Sequence, residues 1–301
     1  QNHGAADLMV RGLRRKRRSP VITYNSLACG SSESLAAQQL RASLVSRSVA
    51  VVRLPKARMM RFLYAEAEHF FKRPAVEKNR YRRNVWRASL GPRPVCIGWR
   101  QVGEVKELIR CFTNESAPLP TRSFRTAALV CEKRLQALLN ACLRCVVEEG
   151  GASRLTAGDT EQLHQGNCAL DLFWYRNNCE DRPNCAAHID RGLLHALVVS
   201  PAAGLELWDV KRGCFCSAEQ LLGRPLLPLR DVLVIPNFEL QELSHAHLWR
   251  APTRAYSACV HRVGKPGAPS RPRLSISFEV RSAGGVDVDK WYAGIAFVPP
   301  Q

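Results

Sequence analysis

No stretch of this chain stays apolar for the roughly 18 consecutive residues that a membrane-spanning helix requires, so no helical span is expected. Nothing near the N-terminus has the apolar core of a secretory signal, and export is not expected either. Acidic residues are scarce, 26 Asp and Glu against 44 Lys and Arg, for a formal net charge of +18. A surface of that sign attracts nucleic acid, anionic membrane or a small anionic ligand. Part of the excess is local: Arg11, Arg14, Arg15, Lys16, Arg17 and Arg18 form one run, read as a solvated, disordered tail over residues 1–18. The chain is expected in the cytoplasm, with a nuclear or organellar address as the alternative that this run leaves open. Cysteine is plentiful, twelve residues, but without the spacing of a zinc site. Cys142 and Cys145 form a CxxC inside a helical stretch and Cys214 and Cys216 a CxC, and no second CxxC or HxxxH completes a set of four ligands. Buried free thiols in a reducing compartment are the reading. No internal repeat is present.

What remains is a globular composition, 46% hydrophobic over 301 residues, enough for a sizeable core. After the basic run, "SPVITYNSL" offers a short strand near Pro20, and Ser34 caps a helix carrying Leu35, Leu40 and Leu44. "SVAVVRLP" is a β-branched run ended by Pro55, hence a buried strand. A helix is expected from about Met59 to Phe71, stopping before Pro74. Residues 82–120 are mixed. From Thr121 to Glu149 the residues Ala128, Cys131, Leu135, Leu138, Cys142 and Val146 recur at three- and four-residue steps, the mark of a long amphipathic helix. From Cys168 the texture changes to short β-type runs: "ALDLFWY", "LLHALVV", "GLELWDV", "DVLVIPNF" and "RLSISFEV". Such a series predicts a sandwich or barrel. The division expected is a mixed helix and strand region over 19–150 and a β-rich core over 151–301, joined near Gly150 and Gly151. A helix with so broad an apolar face needs the sheet to cover it, so these are not independent domains.

One constellation carries chemistry. In "AAHIDRGLLHALVV", His188 and Asp190 are two residues apart, and on a strand such residues point to one face. An imidazole nitrogen and a carboxylate oxygen can then meet one metal ion. His261, in "ACVHRV", completes a two-His, one-carboxylate facial set that leaves positions of an octahedral Fe(II) open. Farther on, "RPRLSISFEV" places Arg273 and Ser275 on one strand face, where guanidinium and hydroxyl can bind one carboxylate. Iron at one end of a dicarboxylate and Arg at the other is the arrangement that 2-oxoglutarate needs. Arg271 lacks a serine two residues on. His245 and His247 also alternate, but no acidic residue shares their spacing, and they are read as a loop at the mouth of the site. Phe173, Trp174 and Trp208 are read as core or pocket wall, and Glu239 as structural.

These residues resemble the isopenicillin N synthase-like branch of the iron(II)/2-oxoglutarate-dependent dioxygenases, which reads HxDxGLLTLL, a GLQVW-like strand, HRV and RLS. The counterparts are "HIDRGLLHAL", "GLELWDV", "HRV" and "RLS". "FFKRPAVEKNRY" and "IGWRQVGEVKELIRCF" resemble earlier segments of that branch, so the likeness runs from about residue 20 onward. The resemblance implies an α+β fold, a double-stranded β-helix (jelly roll, cupin-like) packed on long helices. It implies Fe(II) and 2-oxoglutarate as cofactor and co-substrate, molecular oxygen, and oxidative decarboxylation of 2-oxoglutarate to succinate and CO2. Tyr175 would keep the second tyrosine of the NYYP motif as a co-substrate contact, while Trp174 replaces the first. The NHG turn is replaced by "RLPKAR", the interval from Asp190 to His261 is longer than usual, with extra loop expected over Cys214–Arg230 and His245–Thr253, and His195 stands where threonine is common.

The expected function is hydroxylation or desaturation of a small organic molecule. A catalytically degenerate binding protein is the alternative, suggested by the altered tyrosine motif. A nucleic-acid demethylase is disfavoured, because that group places a second Arg six residues after the anchor, where this chain has Glu279.

Overall fold

A computed structural model describes residues 18–31, 33–86, 94–113, 115–147, 168–178, 181–245, 256–264 and 271–282. The basic run before Arg18, the junction at Gly150 and Gly151, His247 and the C-terminal segment after Ser282 lie outside the described residues.

The chain begins with β1 (Val21–Thr23) and α1 (Tyr24–Ala28), then α2 (Leu35–Arg47), β2 (Ala50–Arg53), α3 (Arg58–Phe71) and α4 (Ala75–Lys78). Three antiparallel strands follow: β3 (Arg82–Val85), β4 (Val95–Val102) and β5 (Lys106–Phe112). The long helix α5 (Arg122–Val147) leads to β6 (Ala169–Tyr175), β7 (Cys185–His188), β8 (Leu194–Val198), β9 (Leu205–Asp209) and β10 (Cys214–Ser217). The chain continues with α6 (Ala218–Leu222), β11 (Asp231–Pro236), α7 (Phe238–His245), β12 (His261–Val263) and β13 (Arg273–Val280). A nine-stranded sheet runs β1-β2-β11-β8-β13-β6-β5-β4-β3, and a four-stranded sheet runs β10-β9-β12-β7.

Local chemistry sets several boundaries. The Ser34 hydroxyl accepts the Ala37 N–H and caps α2, as its position predicts. Leu35, counted among the apolar residues of that helix, is 69% exposed and lies outside the core. Thr121 Oγ1 accepts the Phe124 N–H at the start of α5. The mixed stretch 82–120 folds as the β3-β4-β5 meander, whose strands were hidden among Arg and Gly residues. Gly98 in β4 has φ +70°, and a Cβ there would lie 2.0 Å from the Tyr81 carbonyl oxygen, so glycine is required. The stretch expected as extra loop over Cys214–Arg230 instead contains β10 and α6. There Ser217 and Gln220 close a reciprocal cap.

Helices cover one face of the large sheet. Leu274, Ile276, Phe278 and Val280 of β13 join Leu170 and Leu172 of β6 and Leu194, Ala196 and Val198 of β8 in one core. Met60, Leu63 and Phe70 of α3 and Ala128, Cys131, Leu135, Leu138 and Cys142 of α5 pack in the same core. The periodic face of α5 is therefore buried on the sheet. The alternate residues of β13, Arg273, Ser275, Ser277 and Glu279, point the other way, toward the small sheet, and are buried too. A second apolar cluster, with Leu197, Leu207, Leu233, Ile235 and Cys259, fills the rest of the space between the sheets. Among the described residues no helix is long and apolar enough to cross a membrane.

Candidate metal centre

His188 is the last residue of β7, and its backbone pairs with His261 of β12. The strand ends there, so Asp190 lies in the turn that follows, not on the ladder that the HxD spacing predicts. Buried Ile189 and the Phe238 N–H, which donates to the Asp190 carbonyl, still turn the carboxylate back beside His188. His188 Nε2 lies 3.6 Å from Asp190 Oδ1, and His261 Nε2 lies 3.4 Å from Oδ2. The two imidazole rings are 4.3 Å apart. One ligand atom from each of the three residues falls within 4.8 Å of the others, and no other such group occurs among the described residues.

The hydrogen bonds behind the rings fit a metal. His188 Nδ1 donates to the Ala186 carbonyl at 2.8 Å, and His261 Nδ1 to the Cys259 carbonyl at 3.0 Å. A carbonyl only accepts, so each Nδ1 carries a hydrogen and each ring turns its Nε2 toward Asp190, the atom a metal would take. Burial, helped by the charge on His188, pushes His261 down to about 4, which keeps it a neutral donor. Burial opposes charge on His188 as well, but contact with Cys185 and the charge of Asp190 push it up to about 9. Burial alone would raise the Asp190 carboxyl, yet His195, His261 and His188 together hold it well below the usual carboxylate range.

Arg273 opens β13 opposite Tyr175 of β6, with its guanidinium carbon 5.7 Å from the tyrosine ring centroid. It is 3% exposed, its Nε has no hydrogen-bond partner, and no carboxylate pairs with it among the described residues. A buried, unpaired guanidinium is costly and calls for an anion. Gly204, at φ +123°, makes the space: a Cβ there would touch Arg273 Cδ at 3.4 Å and Val263 Cγ1 at 3.7 Å. Ser275 is buried on the same face of β13, opposite Phe173.

Tyr175 points into this space and Phe173 stacks on it, ring centroids 6.0 Å apart. Trp174 does not. It faces the helices and stacks on Phe71 at 5.6 Å. The replacement of the first tyrosine therefore lies on the opposite side of β6 from Arg273, in the core, as Trp174 was read. Trp208 packs edge-on against Phe215. Glu239, in the first turn of α7, accepts the Ser282 N–H, a structural part. Arg271 borders a cleft of about 880 Å³ outside Gly204 and is exposed.

Sequence reasoning gave His195, Glu279 and the Arg110–Asp171 pair no role in the site. His195 Nδ1 lies 2.6 Å from Asp190 Oδ2. Glu279 accepts the Gly192 N–H at 2.8 Å and pairs with Arg281. Arg110 of β5 pairs with Asp171 of β6 through two hydrogen bonds. The signal available was alternation in "RLSISFEV", where every second residue is polar or charged on a strand whose other face is core.

No protein-family model and no curated protein matches this sequence. Solved structures do. A full-length Neurospora crassa protein in complex with alpha-KG (2-oxoglutarate) and 5-formyluracil superposes with a TM-score of 0.68 at 18% identity, over 88% of this chain and 84% of that one. The dioxygenase for auxin oxidation from rice gives 0.65 at 18% identity, over 87% and 82%. Dioxygenase for auxin oxidation 1 from Arabidopsis thaliana, in a complex with 2-oxoglutarate, gives 0.65 at 18% identity, over 87% and 92%. The fold is that of the 2-oxoglutarate dioxygenases. In this dioxygenase fold the large sheet, with α2, α3 and α5 on its outer face, and the small sheet form the double-stranded β-helix, and His188, Asp190, His261 and Arg273 all lie between them.

Proposed function

We propose that this chain is an Fe(II)- and 2-oxoglutarate-dependent dioxygenase that hydroxylates or desaturates a small organic molecule. One observation carries the reading: two imidazole Nε2 atoms and a carboxylate converge within 4.8 Å, on the same side of the barrel as a buried guanidinium that no carboxylate pairs among the described residues. His188, Asp190 and His261 would hold the ion on one face and leave the opposite face open. Arg273 would take the far carboxylate of 2-oxoglutarate, with Ser275 and Tyr175 beside it, and burial strengthens that pair by excluding water. Bound together, Fe(II) and 2-oxoglutarate supply the oxidising chemistry, in which O2 is consumed, 2-oxoglutarate is decarboxylated to succinate and CO2, and the substrate is oxidised. The bound 2-oxoglutarate complexes of the solved relatives support this class, and the oxidised position on the substrate depends on the rest of the cavity wall.

The competing reading, a degenerate binding protein, rested on the tyrosine motif and loses that support because Trp174 faces the helices. The deciding experiment reconstitutes the full chain anaerobically with Fe(II), measures bound metal, and follows succinate release from 2-oxoglutarate under oxygen. One ion per chain and 2-oxoglutarate turnover are expected, both abolished in His188→Ala and Asp190→Ala. Metal binding that survives both substitutions would sink the assignment.

A further inference from the structure

We infer that His195 is a positioning residue for the carboxylate of Asp190, a role that rests on reading this site as a metal centre. The side chain of Asp190 needs outside support. Its two histidine partners stand on strands β7 and β12, locked by ladder pairing and by the carbonyls behind their rings. Asp190 stands beyond the end of β7, where hydrogen bonding fixes only its backbone. Left alone, such a carboxylate can turn about its side-chain bonds or offer both oxygens to an ion.

His195 removes that freedom. It belongs to β8, an interior strand of the large sheet, paired on one side with Ile235 of β11 and on the other with Glu279 of β13. It is 8% exposed, so its side chain is buried. Its Nδ1 lies 2.6 Å from Asp190 Oδ2. An ionised carboxylate only accepts, so Nδ1–H is the donor, and that nitrogen has no lone pair to give an ion. His195 is therefore no fourth ligand through the atom that faces the site. It fixes the plane of the carboxylate and occupies one lone pair of Oδ2. That favours coordination through a single oxygen and keeps the remaining positions free for co-substrate and oxygen. The carboxylate ligand of this chain is thus braced by an imidazole at a position where the resembled family commonly has threonine.

Two substitutions test the brace. In His195→Asn the side-chain amide stands near the Nδ1 position and can still donate, whereas in His195→Leu the volume remains and the donor is gone. Co(II) and Fe(II) are titrated anaerobically into the full chain by calorimetry and chelator competition, with the Co(II) ligand-field spectrum recorded and the metal-free melting temperature measured alongside. His195→Leu is expected to weaken metal binding roughly 10–100-fold, as loss of a ligand's supporting hydrogen bond does, and to shift the Co(II) bands. His195→Asn is expected to bind close to wild type with wild-type bands, whatever the two melting temperatures are. Should His195→Leu not fold, His195→Gln, whose amide sits at the Nε2 position and misses Asp190, takes its place. Equal affinity in wild type and His195→Leu overturns the inference while the metal centre stands, and so does an Asn variant as weak as Leu. A wild-type chain that binds neither ion removes the metal centre, and the brace falls with it.

Discussion

Arg273 shows how much one side chain can settle. Its guanidinium is buried, its Nε lacks a partner, and Gly204 leaves a gap beside it that any larger residue would fill. Arg273→Ala should leave metal binding intact and weaken 2-oxoglutarate by about 2 kcal/mol or more, some thirtyfold, read as the co-substrate dissociation constant. Gly204→Val should act through the same side chain: it crowds Arg273 Cδ and strains a backbone at φ +123°, so 2-oxoglutarate affinity and melting temperature should fall together. The metal ligands make a prediction in pH. His188 is pushed up to about 9 in the metal-free protein, so it carries a proton at neutral pH that an incoming ion must displace. Calorimetry at pH 7.5 in buffers of different ionisation enthalpy should report about one proton released per ion, and apparent affinity should fall as pH drops below about 9. No proton release would contradict the charged state of His188.

At the scale of elements, the site depends on strand ends and their anchors. A buried cluster clips α4 to the meander: Lys78 donates to Glu107 at 2.5 Å, Trp99 Nε1 to the same carboxylate at 2.7 Å, and Arg176 to its other oxygen at 2.9 Å. Glu107→Ala would strand the Lys78 ammonium, which is 4% exposed, away from water. Breaking a buried pair from one side costs about 3–5 kcal/mol, so a melting-temperature drop of several degrees is expected, and an unchanged midpoint would refute the pairing. Much at this scale was legible in the sequence. Ser34, the Pro55 stop, the span of α5 and the five β runs after Cys168 follow from capping, proline geometry and periodicity. The β3-β4-β5 meander was not, because a strand such as "KELIRCF" carries buried charges that find partners outside the strand, Arg110 with Asp171 of β6 and Glu107 with Lys78 of α4. Pairing across strands leaves no trace in one strand's composition.

The molecule as a whole binds its two sequence regions into one sheet. β2, from the first region, is hydrogen-bonded to β11 of the second, and β5 to β6. The Arg53–Asp231 pair adds a bidentate link across the first of these seams. Unfolding should therefore be one cooperative transition, with coincident denaturant curves from far-UV circular dichroism and tryptophan fluorescence. Two separated transitions would show the regions to be independent. Saturation with metal should raise that single midpoint, since an ion at a hundred times its dissociation constant adds about 2.7 kcal/mol, and a chelator should return it.

The amino-acid sequence by itself determined the ligand types, their HxD and RxS spacing, the amphipathic face of α5 and the β-rich texture of the second half, because these are set by chemistry and by periods of two or 3.6 residues. Only the tertiary structure decided that Asp190 leaves its strand and leans on His195, that Trp174 turns to the helices, and that Arg273 is buried with no carboxylate partner among the described residues. Each of those depends on what lies across a sheet or beyond a turn, at separations along the chain that no local pattern spans.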